Sequence, residues 1–333
     1  MDSSTSHSDK WFPSRAAMLL LVTATSWVGC AIYSVYFNPE VTHYAQGAAI
    51  KNSWTEKMTR EYGQKNLIFG GSSCEFSIDG ERMLTEHHLP MVNYGRSAGI
   101  GACVLAESVL EHVRPGDVLI VSLEPEVLTE RLYQPSLGVQ FSFAMHHPEW
   151  VIEPVLGIAR LGWFQAATSL RPGGYHFFTM IGKLLRGQPL YRYQLSDYRA
   201  SGWKQTAVRR PIGGLARPAD LSPESIVLLR RLRKWCDEHD VRAAYALPWS
   251  YAPPVKVQEF QKQNVQFLLE MAEFFPVLKD PHLGADPVIE HFSDTPFHPN
   301  NAGAALHTDE LADQIKNWDV WTAEELQSLE SRL

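Results

Sequence analysis

Cysteine is scarce in this chain, with four among 333 residues. Cys30 falls inside a long apolar run, which leaves Cys74, Cys103 and Cys236. Three is an odd number and no metal-ligand spacing appears among them. A disulfide framework is therefore excluded, at most one pair can close, and buried free thiols are the simpler reading. Positive charge is also in short supply: a net charge of −7 leaves no electrostatic case for a nucleic-acid partner. No metal or nucleotide motif appears either, so no metal site and no cofactor are expected. What the chain does have is 45% apolar and 20% charged residues, a balance that excludes a disordered or fibrous protein and provides for a full core.

Charge is absent from one place in particular. From Ala16 to Phe37 there is no Asp, Glu, Lys, Arg or His, and at helical rise such a run reaches roughly 33 Å, enough for a bilayer core of about 30 Å. It reads as a transmembrane helix. Lys10 and Arg15 precede it while Glu40 and His43 follow. The positive-inside rule then leaves residues 1–15 in the cytoplasm and places the chain after about Asn38 outside, in the periplasm for a single-pass anchor. A cleaved signal peptide fits less well, because signal cores run to about 7–15 residues and no small-residue cleavage site ends this one. Lipoprotein cleavage before Cys30 is opposed by the bulk of Trp27 and by the unbroken apolar run to Phe37.

Beyond the anchor, residues 38–64 read as a polar, partly helical connector that lifts the domain off the membrane. Short apolar runs follow at Asn66–Phe69, Met91–Tyr94, Asp117–Leu123, Val241–Leu247 and Phe275–Leu278. Helical patterns lie between them: Ile100–Val113, which the Arg114-Pro115-Gly116 turn ends, a segment capped by Ser222-Pro223 and running to His239, and Val255–Phe274. Strands alternating with helices imply an α/β fold, a doubly wound parallel sheet with helices on both faces. This domain takes residues 65–131 and 218–318, and Thr322-x-x-Glu325 is a capping box for a terminal helix in 319–333.

Residues 132–217 break the rhythm and are too long for a loop, so they read as an inserted, mainly helical subdomain. Ten cations lie between Val155 and Arg217 (Arg160, Arg171, Lys183, Arg186, Arg192, Arg199, Lys204, Arg209, Arg210 and Arg217) against the single acid Asp197. Aromatic residues, Tyr191, Tyr193, Tyr198 and Trp203 among them, are interleaved. Beside an anchor, a basic and aromatic surface suits anionic membrane lipids, a polyanionic glycan or a membrane-protein partner. A solvated face around a small core is the plainer alternative.

In open parallel sheets ligands bind beyond the carboxyl ends of the strands, which singles out three places. The first run ends in Gly70-Gly71-Ser72, an exposed hydroxyl at a strand-to-helix turn. The second ends in Asn93-Tyr94-Gly95-Arg96, where a glycine N–H is suited to an oxyanion hole. Near the C-terminus, Asp294 and His298 directly precede an Asn/Gly-initiated helix at Pro299-Asn300-Asn301-Ala302-Gly303. A carboxylate-held histidine is the base that a serine hydroxyl needs.

In this order the three blocks resemble those of the SGNH (GDSL-like) hydrolases and acyltransferases, over about residues 65–125 and 240–315. The resemblance implies a flavodoxin-like three-layer fold. It makes Ser72 the nucleophile, His298 its base and Asp294 the residue that orients His298. The N–H groups of Ser72 and Gly95 become oxyanion donors. Three departures stand out: Gly71 replaces the usual aspartate, three residues instead of two separate Asp294 from His298, and Glu124 stands where an oxyanion asparagine is common. An ionised Glu124 there would repel a developing oxyanion unless Arg96 or a partner offset it. With a single anchor, the chain looks like the SGNH-like proteins of cell-envelope acylation, which work with a membrane-bound O-acyltransferase (MBOAT). The implied activity is O-acyl transfer to, or ester hydrolysis on, an envelope polysaccharide through a serine acyl-enzyme, with no cofactor beyond an acyl donor. The alternative is a catalytically inactive scaffold or glycan-binding partner, acting through the basic insert and Arg209 and Arg210.

Overall fold

Along the first strand, Leu67 and Phe69 join one apolar cluster while Ile68, between them, joins another. That alternation is what a strand buried on both faces requires. A computed structural model describes residues 12–129, 135–171, 174–206 and 220–333. Its six-stranded sheet runs in the order β2 (Met91–Asn93), β1 (Asn66–Gly70), β3 (Val118–Ser122), β4 (Arg242–Tyr245), β6 (Val277–Leu278) and β8 (Val320–Trp321). All neighbours are parallel except β6 and β8. A separate parallel pair joins β5 (Ser250–Tyr251) to β7 (Ala285–Asp286). The five apolar runs of the sequence all become strands, the first extended by Gly70 and the other four shortened at their ends. The two-residue strands β5, β7 and β8 carry no alternating pattern and were not expected.

Helices cover both faces. On one side Leu67, Phe69, Leu119, Val121 and Tyr245 pack with α2 (Pro39–Tyr62), α5 (Ala102–Leu110), α11 (Pro223–Glu238) and α12 (Val257–Met271). On the other, Ile68, Ile120 and Ala244 pack with Met83 of α4 (Gly80–His87) and with Leu311, Ala312 and Ile315 of α13 (Asn301–Asn317). Each Leu, Ile, Val, Phe or Met side chain removed from water in this way contributes about 1.5–3 kcal/mol. The helix starts follow the sequence: Ser222 caps α11, Asn300 accepts from the Ala302 and Gly303 N–H groups to cap α13, and Thr322 and Glu325 form a capping box on α14 (Ala323–Arg332). All four cysteines are free, and Cys74, Cys103 and Cys236 are buried. A buried ion pair, Lys65 to Asp117 at 2.6 Å, ties the starts of β1 and β3 together.

At the N-terminus α1 (Phe12–Ile32) continues through one π-helical stretch, Tyr33–Phe37. From Arg15 to Phe37 the helix is long and apolar enough to cross a membrane, and none of its most apolar window is buried.

The segment expected to be a connector is built into the domain. Asn38 caps α2 with Pro39 at its first turn, and the helix buries Val41, His43, Tyr44, Ala48, Lys51, Trp54 and Met58. Trp54 donates to the Met91 carbonyl at 2.8 Å, and the Lys51 ammonium donates to the carbonyls of Asn93 and Gly202. Several of its polar groups find backbone acceptors inside the fold. In the stretch expected to be an insert, the described elements are α7 (Ser136–Ala144), α8 (Glu149–Ile152), α9 (Trp163–Ser169) and α10 (Gly174–Leu185), after the short α6 (Pro125–Thr129). Arg209, Arg210 and Arg217 lie outside the described residues.

Candidate active site

The order of the strands reverses between β1 and β3, and the segment leaving β1 carries Ser72 as the first residue of α3 (Ser72–Ser77). A switch point of this kind opens a crevice at the carboxyl ends of the strands. Ser72 is part-exposed there, and no hydrogen bond engages its hydroxyl among the described residues. As the first N–H of a helix, its own N–H has no intrahelical acceptor.

The start of α3 is held from beneath by Glu124, which leaves the end of β3. One carboxylate oxygen accepts from the Gly71 N–H at 2.8 Å. The other accepts from the Ser73 N–H at 3.0 Å and the Ser73 hydroxyl at 2.7 Å. Glu124 thus caps the helix from another strand, where an anion is favoured by the N-terminal dipole. Burial raises its pKa, while the Ser73 contacts pull the other way. Gly71 follows from this arrangement, since a Cβ at position 71 would collide with the Glu124 carboxylate. Two departures in the sequence are one structural fact: the carboxylate of Glu124 fills the space that a side chain at position 71 would need.

Gly95 also answers to α3. A Cβ on it would run into the Cys74–Glu75 backbone, so the glycine permits close packing. Its N–H is engaged by the Asn93 amide oxygen at 2.8 Å, and the Asn93 amide nitrogen donates to the Cys74 and Ile78 carbonyls. Arg96 is buried between the rings of Tyr94 and Phe141, and its guanidinium donates to the Ser108 hydroxyl at 2.8 Å. It makes no ion pair with Glu124 among the described residues.

Asp294 and His298 do meet. His298 Nδ1 lies 2.8 Å from Asp294 Oδ1, so the three-residue spacing still closes the bond. The loop is braced by the Ser293 N–H on the His298 carbonyl and the His298 N–H on the Thr295 carbonyl. Burial raises the Asp294 pKa, but the His298 hydrogen bond and charge, the Tyr193 hydroxyl and Arg192 outweigh it, holding the carboxyl well below its ordinary range. An ionised Asp294 fixes the proton on Nδ1 and leaves Nε2 as an acceptor.

The imidazole lies against α3. His298 and Phe76 are 4.3 Å apart between ring centroids, and Phe76 is one turn beyond Ser72 on the same helical face. His298 and Ser72 are not hydrogen-bonded to each other here.

Several participants carried no motif in the sequence. Tyr193 donates to Asp294 Oδ2 at 2.9 Å and lies 3.3 Å from His298 Nδ1, and Arg192 reaches Asp294 Oδ2 at 2.6 Å. Lys204 is buried and paired with Glu75 of α3 at 2.8 Å, Tyr198 donates to the same carboxylate at 2.6 Å, and Trp203 donates to the Phe76 carbonyl. The aromatic, basic stretch therefore clamps the helix that Ser72 begins. Its alternation of Tyr, Arg and Lys was the available signal, but it pointed equally to an outward surface. Apart from this site, Glu111, His147 and Glu149 gather metal-ligand-type atoms within 4.8 Å, with His147 already paired to both carboxylates. No protein-family model, curated protein or solved structure matches this chain.

Proposed function

We propose that this chain is a membrane-anchored, extracytoplasmic SGNH-like O-acyltransferase or esterase that acts on a cell-envelope polysaccharide through a Ser72 acyl-enzyme. The observation that carries the reading is the Asp294–His298 pair resting on the helix that Ser72 opens, at the switch point of a parallel sheet. The order 2-1-3-4 followed by the next parallel strand is the flavodoxin-type order, which supports the SGNH-like assignment.

In this mechanism His298 Nε2 takes the Ser72 hydroxyl proton as Oγ attacks the ester carbonyl of the donor. The carbonyl π pair moves to oxygen, and the Ser72 N–H stabilises that charge. Collapse of the intermediate expels the donor alcohol, which receives the proton from His298. A sugar hydroxyl, or water in the esterase case, then gives its proton to His298 and attacks the acyl-enzyme, and Ser72 leaves reprotonated. Asp294 holds the imidazole in register throughout. Gly95 contributes packing while Asn93 occupies its N–H, so the Ser72 amide carries the oxyanion. Membrane topology and the MBOAT-like partner follow from the same reading, with the apolar N-terminal helix as its support. The exposed cations of the basic stretch, Arg186 and Arg199 among them, face membrane lipids or the polysaccharide.

A fluorophosphonate probe tests the chemistry. Full-length protein in detergent is expected to be labelled at Ser72, with labelling lost in Ser72→Ala and strongly slowed in His298→Ala. An unlabelled wild-type protein that is folded would sink the reading. The occupied Gly95 N–H and the open Ser72–His298 gap favour the second reading, a scaffold or glycan-binding partner. In that case Ser72→Ala leaves polysaccharide acylation in cells intact, whereas replacing Arg209 and Arg210 abolishes it.

A further inference from the structure

Where the apolar helix ends and the α/β domain begins, an open cleft of about 440 Å3 runs between Tyr36, Phe37 and Pro39 on one side and Tyr191, Tyr193 and Leu195 on the other. The volume is in the range of small-molecule sites, about 300–1,000 Å3. No lining residue carries a full charge at neutral pH, although cations abound in the neighbouring sequence. Its occupant is therefore uncharged along most of its length.

The two ends of the cleft differ. Tyr36 and Phe37, at the outer end, are exposed and belong to the stretch long and apolar enough to span a bilayer. Beside them, α10 touches the same helix end through Tyr33 and Met180 and presents Phe178, Leu184 and Leu185 outward next to Lys183. An exposed apolar face with a cation at its edge is what an interfacial helix needs. In the membrane-anchored reading the outer end opens at the level of the membrane surface.

The inner end is polar and incomplete. His43 is 5% exposed, and its Nε2 has no hydrogen-bond partner. A buried polar atom left unpaired costs about 1–3 kcal/mol and calls for an explanation. Burial, with Lys204 and Lys51 outweighing Glu75, holds the His43 pKa down to about 4, so the ring is neutral and suited to an uncharged polar group. Tyr193 forms the wall between the cleft and the Asp294–His298 pair, since its hydroxyl bonds to both.

We propose that this cleft binds an acyl ester drawn from the bilayer, with its hydrocarbon chain along Tyr36 and Phe37 and its ester oxygen on His43 Nε2. This names the donor class for the acyl-enzyme reading and rests on it. The ester then stands one side chain away from the histidine that would activate Ser72.

Photocrosslinking tests the assignment. The full-length protein in phosphatidylcholine nanodiscs is irradiated with a diazirine-tagged palmitoyl ester and its labelled peptides are mapped. Adducts are expected within residues 39–46 and 191–195, to be competed away by the untagged ester, to be lost in Thr42→Trp and Leu195→Trp, and to persist in Ser72→Ala. Adducts confined to residues 16–35, as from bulk lipid, would overturn the proposal. Cleft adducts that the untagged ester does not compete would overturn it as well, and that readout needs no variant to fold. Competed cleft adducts on a protein whose Ser72 ignores fluorophosphonate would uphold the cleft as a lipid-ester site and defeat the acyl-transfer mechanism.

Discussion

Lys204 and Glu75 form an ion pair, 2.8 Å between Nζ and Oε2, in which neither side chain reaches solvent. Tyr198 completes the carboxylate's bonding and the rings of Phe76, Tyr193 and Tyr198 surround the ammonium. Desolvation opposes charge on Glu75, yet Lys204 and Lys51 hold its pKa below the ordinary value. Removing one partner strands the other. Lys204→Met is expected to lower stability by about 3–5 kcal/mol, and Lys204→Met with Glu75→Gln to recover much of that loss, because the penalty is chiefly the uncompensated charge. Denaturant unfolding of both variants measures it, and a double variant no better than the single would contradict the argument.

Gly71 and Glu124 are coupled through space. Gly71→Ala places a methyl group on the Glu124 carboxylate and is expected to destabilise the protein by about 1–3 kcal/mol. In a Glu124→Ala background the space is free and the same change is expected to cost less. A double-mutant cycle in thermal unfolding reads the coupling directly, and simple additivity would show that the two positions do not communicate.

Asp294 has a depressed pKa in the folded state. Its stabilising contribution is therefore complete above the unfolded carboxylate value near 3.8 and is lost as pH falls through the lower folded value. Asp294→Asn is expected to flatten the acid limb of stability measured below about pH 4. It is also expected to slow fluorophosphonate labelling on the order of 100-fold or more, through the loss of histidine orientation. Unchanged labelling would remove Asp294 from the machinery.

Tyr193→Phe deletes the hydroxyl that braces Asp294 and His298. One such bond is worth about 1 kcal/mol, so labelling is expected to slow severalfold, with the fold retained. Arg192 is half exposed, and Arg192→Ala is expected to have the smaller effect because solvent screens its pairing. The reverse ranking, read from the same labelling rates, would place the controlling contact on the guanidinium.

Lys51 is wholly buried, and burial lowers its pKa to about 7 against 10.5 in the open chain. Between those values the unfolded chain binds the extra proton, so this residue makes stability rise with pH from about 7 to 10. Lys51→Met is expected to remove that rise in pH-dependent unfolding. A rise that persists in the variant would have another source.

Much of the architecture is written in local patterns. The apolar runs at Asn66, Met91, Asp117, Val241 and Phe275 mark the five longer-patterned strands because a doubly covered sheet demands unbroken hydrophobicity. Ser222, Asn300 and Thr322 mark helix starts through capping chemistry that needs no distant partner. The strand ends likewise pointed to Ser72, Asp294 and His298, and the structure brings the last two into contact and sets the imidazole on the helix of the first.

Other features have no local trace. That Glu124 caps α3, that Asn93 claims the Gly95 N–H, and that Arg96 lies buried between two rings depend on which strands are neighbours. The same holds for Tyr193 and Lys204, whose stretch reads as a polar surface until the fold wraps it around α3. Sequence alone determined the five strands of the apolar runs, the caps at Ser222, Asn300 and Thr322 and the apolar N-terminal helix, since each follows from the side chains of one short segment. Tertiary structure decided the destination of every buried charge and every borrowed hydrogen bond, because a desolvated polar group is tolerated only where a remote part of the chain arrives to meet it.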